Sequence, residues 1–160
     1  MSRFESAAAG GATARFAPGE VRVLTTLARQ LAELVETRAE HHTDPALERL
    51  LPDGYRENAE DAAEFRRFTE GDLADGKVRN ARTVLESLST PARRRRVHVT
   101  LDAQGVGAWL RTLTDLRLTL AARLGVHPDG TLPAGSNAMT RAIYDWLGYL
   151  QESLVEAIDI

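Results

Sequence analysis

Four consecutive arginines, Arg93-Arg94-Arg95-Arg96, are the feature of this 160-residue sequence whose residue type and spacing most directly suggest chemistry. From Lys77 to Arg96 the basic residues are Lys77, Arg79, Arg82 and the four arginines, against the single acid Glu86. The chain as a whole carries a net charge of −3, so this segment is a local contrast and not part of a generally basic protein. A guanidinium presents a planar fork that matches two phosphate oxygens. A concentrated basic patch is therefore the footprint of a phosphate-binding surface, and Lys77, Arg79, Arg82, Arg93, Arg94, Arg95 and Arg96 are the candidate nucleic-acid contacts. A solvated basic loop, or pairing with acids such as Glu57, Glu60 and Asp61, is the structural alternative.

Other reactive residue types form no recognisable constellation. His41 and His42 are adjacent, with Asp44 and Glu48 downstream. Neighbouring helical positions point about 100° apart and do not converge on a metal, whereas the helix dipole favours histidines near a helix C-terminus. His98 falls on the outer side of an expected strand and His127 in a loop. No HExxH, GxxxxGK or strand-linked GxGxxG occurs, so neither a metal nor a phosphate-cradling cofactor loop is expected. Glu60, Asp61 and Glu64 are close in sequence, but charges beside apolar stripes more often form ion pairs than acid–base machinery. Glu64, Arg66, Asp115, Arg117 and Asp145 are accordingly assigned to a buried network between helices. On that assignment, loss of Arg117 would cost about 3–5 kcal/mol. The chain has no cysteine, which excludes a disulfide, a thiolate metal site and a thiol redox switch within these residues. No enzyme active site is expected. Tyr144, Trp146 and Tyr149 cannot all face one core, so they are the candidate partner or dimer surface.

The elements that must position these residues follow from hydrophobic periodicity. Residues 2–16 read as a small hairpin or ragged arm around Gly10-Gly11, with residues 1–11 as a candidate flexible arm. Pro18-Gly19-Glu20 opens a helix to about Arg38, with Leu24, Leu27, Leu31, Leu34 and Val35 on one face. Asp44-Pro45 starts a short helix ended by Pro52-Asp53-Gly54. Asn58 to Leu88 is a long helical region, with Phe65, Phe68, Leu73, Val78, Val84, Leu85 and Leu88 apolar. Gly71 and Gly76 predict a kink or a break within it. Val97 to Leu101 alternates as a strand should. Asp102 caps a long helix that closes at Gly125. After a loop over His127 to Ser136, a last helix starts near Asn137, with Ile143, Trp146, Leu147, Leu150, Leu154 and Ile158 as its buried stripe.

The expected fold is mainly α: a single-domain helical bundle over residues 1–160, with about five or six helices and a small β element. That element combines an N-terminal hairpin with a strand near 97–101. The long third helical region and that strand could make a winged-helix-like unit, with the arginine run at its edge. Neither a signal peptide nor a ~20-residue apolar span is present, so a cytoplasmic location and no membrane partner are expected.

Several segments together resemble a known family. They are Asp44-Pro45-Ala46-Leu47, Arg49-Leu50-Leu51-Pro52 with Tyr55, Glu64-Phe65-Arg66-Arg67 and Trp109-Leu110-Arg111. Asp115-Leu116-Arg117-Leu118, Arg123-Leu124-Gly125 and Tyr144-Asp145-Trp146-Leu147-Gly148-Tyr149-Leu150-Gln151 follow. Their order and spacing over roughly residues 12–158 are similar to an actinobacterial domain-of-unknown-function family, number two thousand and seventeen. Its members carry the label AosR-like, for oxidative-stress transcriptional regulator. The resemblance implies a regulator associated with DNA and the transcription machinery, with a sigma factor or other regulatory protein as partner; the aromatic surface makes a homodimer a candidate state. The alternative is a non-enzymatic helical adaptor that binds proteins and no nucleic acid. Surface charge separates the two: one contiguous basic face favours the first, and arginines individually paired with acids favour the second.

Overall fold

A computed structural model describes residues 2–52, 60–89, 96–127, 129, 131–133 and 135–159, with the backbone alone over 60–69. Among these residues the chain is mainly α. Five α-helices pack beneath a small antiparallel sheet.

The sheet joins the N-terminal hairpin to a strand from the middle of the chain. Strands β1 (Glu5–Ser6) and β2 (Ala12–Phe16) form the N-terminal hairpin, and β3 (Val97–Leu101) adds to β2, giving the order β1-β2-β3. The turn passes through Gly10 at a φ of 77°. A Cβ on Gly11 would stand 2.4 Å from the Leu101 carbonyl oxygen, so only glycine fits this crossing. The β2–β3 register runs from Ala12 opposite Leu101 to Phe16 opposite Val97. Ala12, Ala14 and Phe16, with Val97, Val99 and Leu101, face inward and are buried. Thr13, Arg15, His98 and Thr100 are left on the outer face by the two-residue period of a strand. Alanine is a poor strand former, yet here two alanines are buried against the sheet's neighbours, and burial outweighs the propensity term.

The helices begin and end where capping chemistry places them. Helix α1 (Pro18–Glu36) has proline in its first turn, and the Glu20 carboxylate accepts from the Ala17 N–H at 2.8 Å. Its Leu24, Ala28, Leu31, Ala32 and Val35 are buried. Helix α2 (Pro45–Leu50) is capped by Asp44, whose carboxylate accepts from Ala46 N–H. Helix α4 (Ala103–Leu124) is capped by Asp102 and closed by Gly125 at a φ of 71°. Helix α5 (Ala138–Ile158) is capped by Asn137, which accepts from Met139 and Thr140 N–H.

Helix α3 runs unbroken from Glu60 to Leu88, against the expected kink or break at Gly71 and Gly76. A glycine costs a helix about 1 kcal/mol relative to alanine. Burial of Ala74, Val78, Ala81, Val84 and Leu88 against α1 and α4 offsets that cost. Leu73 is exposed, and so is Ile158 on α5, so neither belongs to the core stripe assigned to it. Phe65 and Phe68 have side chains outside the described residues. Within residues 2–11, which fall in the candidate arm, Ser2, Phe4 and Gly11 are buried and the others are exposed or half-buried. Phe4 is buried and its N–H donates to the buried Ser153 hydroxyl of α5 at 3.1 Å. Phe4, Phe16 and Trp109 form an aromatic cluster. Phe16 and Trp109 stack at 5.8 Å, and Phe4 meets both edge-on. The winged-helix arrangement is not formed: β3 pairs with β2 and leads directly into α4, with no return strand among the described residues.

Candidate nucleic-acid interface

The described basic side chains of the segment on α3 turn to different neighbours. On α3 the positions 77, 79 and 82 point in different directions because a helix advances about 100° per residue. Lys77 turns toward α4, where its Nζ lies 2.7 Å from Asp115 Oδ1; the two side chains are only 16% and 5% exposed. Arg82 turns toward α1 and meets Glu36 at 2.9 Å on the surface. Arg79 is exposed. Two of the three candidate phosphate contacts on this helix are therefore already engaged by carboxylates. Arg93, Arg94 and Arg95 lie outside the described residues.

Arg96 is described, and it sits in a different company. It is exposed, and its Nη1 donates to the Ser2 hydroxyl at 3.1 Å; Ser2 in turn donates to Glu20 at 2.6 Å. The β2–β3 register places Arg15 directly opposite His98 on the same outer face. Together Arg3, Arg15, Arg96 and His98, with Glu5 and Thr13, line a shallow cleft of about 430 Å³ across the three strands. Arg3 makes a solvent-exposed ion pair with Glu156 at 3.1 Å, which costs little to open. The sequence places His98 on the outer side of its strand but does not connect it with Arg15. Each stands alone in its own strand, and only the antiparallel pairing of residues far apart in the chain brings them together.

The ion-pair network assigned from sequence is reorganised. Asp115 is buried, but its partner is Lys77 and not Arg117. Burial pushes the Asp115 carboxyl above the usual carboxylate range, while the hydrogen bond and charge of Lys77 pull the other way. Arg117 lies over the Tyr144 ring, its Cζ 4.6 Å from the centroid, and donates to Gln151 at 3.4 Å. Its Nε is buried without a hydrogen-bond partner among the described residues. Asp145 is exposed and in no ion pair among those residues. The side chains of Glu64 and Arg66, with those of Glu60 and Asp61, lie outside the described residues.

The guanidinium of Arg117 reaches Tyr144 across Gly148, where an added Cβ would stand 3.1–3.3 Å from it. The contact is a cation–π packing between α4 and α5, with no carboxylate partner among the described residues. Replacing Arg117 with Ala should therefore lower stability by about 0.5–2 kcal/mol, measured by urea denaturation, and not by the 3–5 kcal/mol of a broken buried pair.

Two sites remain. Asp44, the α2 cap, also receives both terminal nitrogens of Arg123 from α4, at 2.5 and 2.9 Å. That hydrogen bonding holds its carboxyl below the usual range and raises Arg123. His41 and His42 are exposed in the turn before it. No group of three or more His, Asp or Glu side chains is placed to hold a metal among the described residues. Trp146 and Tyr149 of the candidate partner surface are half-buried. With Val23, Ala142 and Ile143 they line an apolar groove of about 530 Å³ between α1 and α5. Tyr144 lies under Arg117, not in that groove.

No helix among the described residues is long and apolar enough to cross a membrane. No solved structure matches the chain. It is similar to proteins named "Oxidative stress regulator AosR" from Mycobacterium tuberculosis and Mycobacterium bovis. Each is 32% identical over 133 residues, covering 73% of this chain and 59% of the relative. The chain thus spans about three fifths of the length of the curated relatives it matches. Those names are names of regulators, not of enzymes. Residues 1–158 match the family described as "Domain of unknown function (DUF2017)", and the chain belongs to that family.

Proposed function

We propose that this protein is a non-enzymatic regulator of transcription in the oxidative-stress response that holds the DNA backbone against the outer face of its sheet. The observation that carries the reading is the cleft formed by Arg15, Arg96 and His98, with Arg3 at its rim. Here basic side chains converge on one face, and the arginine run enters it at Arg96. The names of the relatives support the regulatory half of the reading. Phosphate contacts supply affinity without sequence information, so promoter choice would rest with a regulatory partner such as a sigma factor.

The test is DNA binding by fluorescence anisotropy over a salt series. With four phosphate contacts, log K falls against log salt with a slope near ~−3.6. Arg15→Gln with Arg96→Gln should flatten that slope by about 1.8. Lys77→Gln and Arg82→Gln should leave it unchanged, because their charges are neutralised within the protein. Binding no tighter than millimolar at low salt rejects the reading.

One observation favours a second reading, a helical adaptor that binds a regulatory protein and no nucleic acid. It is the α1/α5 groove at Trp146, a concave apolar surface suited to an amphipathic helix. The pairing of Lys77 and Arg82 with acids also points this way. A flat salt series, together with loss of partner binding on replacing Trp146 with Ala, would select it.

A further inference from the structure

Among the described residues strand β3 pairs on one side only, with β2, and the sheet ends there. Helices α3 and α4 contact β3, whose Val97, Val99 and Leu101 side chains are buried. An edge strand presents unpaired N–H and C=O groups, and proteins that leave such an edge free protect it with prolines, lysines or inward-pointing charges. Val97-His98-Val99-Thr100-Leu101 has none of these. It alternates buried Val97, Val99 and Leu101 with exposed His98 and Thr100, a pattern suited to continuing a sheet.

We propose that the free edge of β3 pairs antiparallel with β3 of a second copy of this chain, about a two-fold axis at Val99. An isologous contact brings each residue against its symmetry complement, so the register is fixed by the centre. Centred on Val99, His98 faces Thr100 of the second copy, Val97 faces Leu101, and Arg96 faces Asp102. The outer face then carries a β-branched residue opposite a histidine, and opposite charges close both ends of the ladder, the kinds of cross-strand pair that stabilise a sheet. Charge complementarity is what selects a second copy as the occupant. An extended peptide of another protein would need an acid placed opposite Arg96 and a base opposite Asp102, and this strand already supplies both. Asp102 is exposed and uses one oxygen to cap α4; Arg96 uses one nitrogen on Ser2. Each keeps capacity for the pair. The two outer faces would lie side by side on one surface. The dimer does not depend on the nucleic-acid reading, and its test contains no DNA.

The chain has no cysteine, so Thr100→Cys gives a single labelling site on the outer face. Sedimentation of the unmodified protein over a concentration series should show a monomer–dimer equilibrium. In that dimer the two Cα atoms at position 100 lie about 8 Å apart, from the strand spacing and a two-residue offset. Spin labels there should report a separation below about 20 Å. Asp102→Asn keeps a good helix cap. It removes the charge facing Arg96 in both halves, and should raise the dimer dissociation constant about two- to thirtyfold. A protein that stays monomeric at every concentration overturns the proposal. So does a dimer whose labels lie beyond about 30 Å, or one that Asp102→Asn leaves unchanged.

Discussion

Replacing Lys77 with Ala should destabilise the protein by about 3–5 kcal/mol at neutral pH, the cost of leaving a buried carboxylate without its partner. Asp115 is 3% exposed, and Lys77 is the cation it meets at 2.7 Å. The loss should depend on pH in a direction fixed by Asp115. Burial has raised its folded-state value, and removal of Lys77 takes away the influence that opposed this rise. The unfolded carboxyl titrates near ~3.9. Between that value and the higher folded one, the folded state binds more protons, so stability increases as pH falls. The deficit of Lys77→Ala against the unmodified protein should therefore be largest at and above neutral pH and shrink in acid. Urea denaturation across that range measures it. A deficit that does not change with pH would mean that Asp115 stays solvated. Adding Asp115→Leu to Lys77→Ala should recover much of the loss, because a buried pair replaced by apolar groups of similar volume is often neutral.

Trp109→Ala should be of similar size, about 3–5 kcal/mol, for a different reason. The indole is fully buried, stacks on Phe16 of β2, meets Phe4 edge-on, and donates from Nε1 to the Ser87 hydroxyl of α3 at 3.2 Å. One side chain thus ties α4 to the sheet, to the N-terminal residues and to α3. Its removal leaves a cavity where these meet. Trp109→Phe should cost less, since it keeps a ring and loses mainly one neutral hydrogen bond, worth ~1 kcal/mol. Thermal melts of the two variants give the order. The truncation should also loosen the hairpin that carries Arg15, so Trp109→Ala is expected to increase cleavage near residues 2–16 under brief protease treatment. Equal melts for the two variants would mean that the cluster contributes little.

The sequence by itself determined the elements whose causes are local. The periodic leucines of α1, the Asp44, Asp102 and Asn137 caps, the Gly125 stop and the alternation of Val97 to Leu101 each act within a few residues. They are readable for that reason. The helical character of the chain and its family resemblance were legible in the same way. Only the tertiary structure decided the continuity of α3, because burial of Ala74, Val78 and Ala81 outweighs two glycines that local propensity counts as breaks. It also decided which charges are spent. The run from Lys77 to Arg96 is a sum along the chain, but a helix turns its residues around an axis. Lys77 faces Asp115 and Arg82 faces Glu36, both from segments distant in sequence. The face shared by Arg15, Arg96 and His98 exists because β2 and β3, some eighty residues apart, pair in one register. Periodicity fixes which side of a strand a residue takes; only pairing fixes which other strand shares that side.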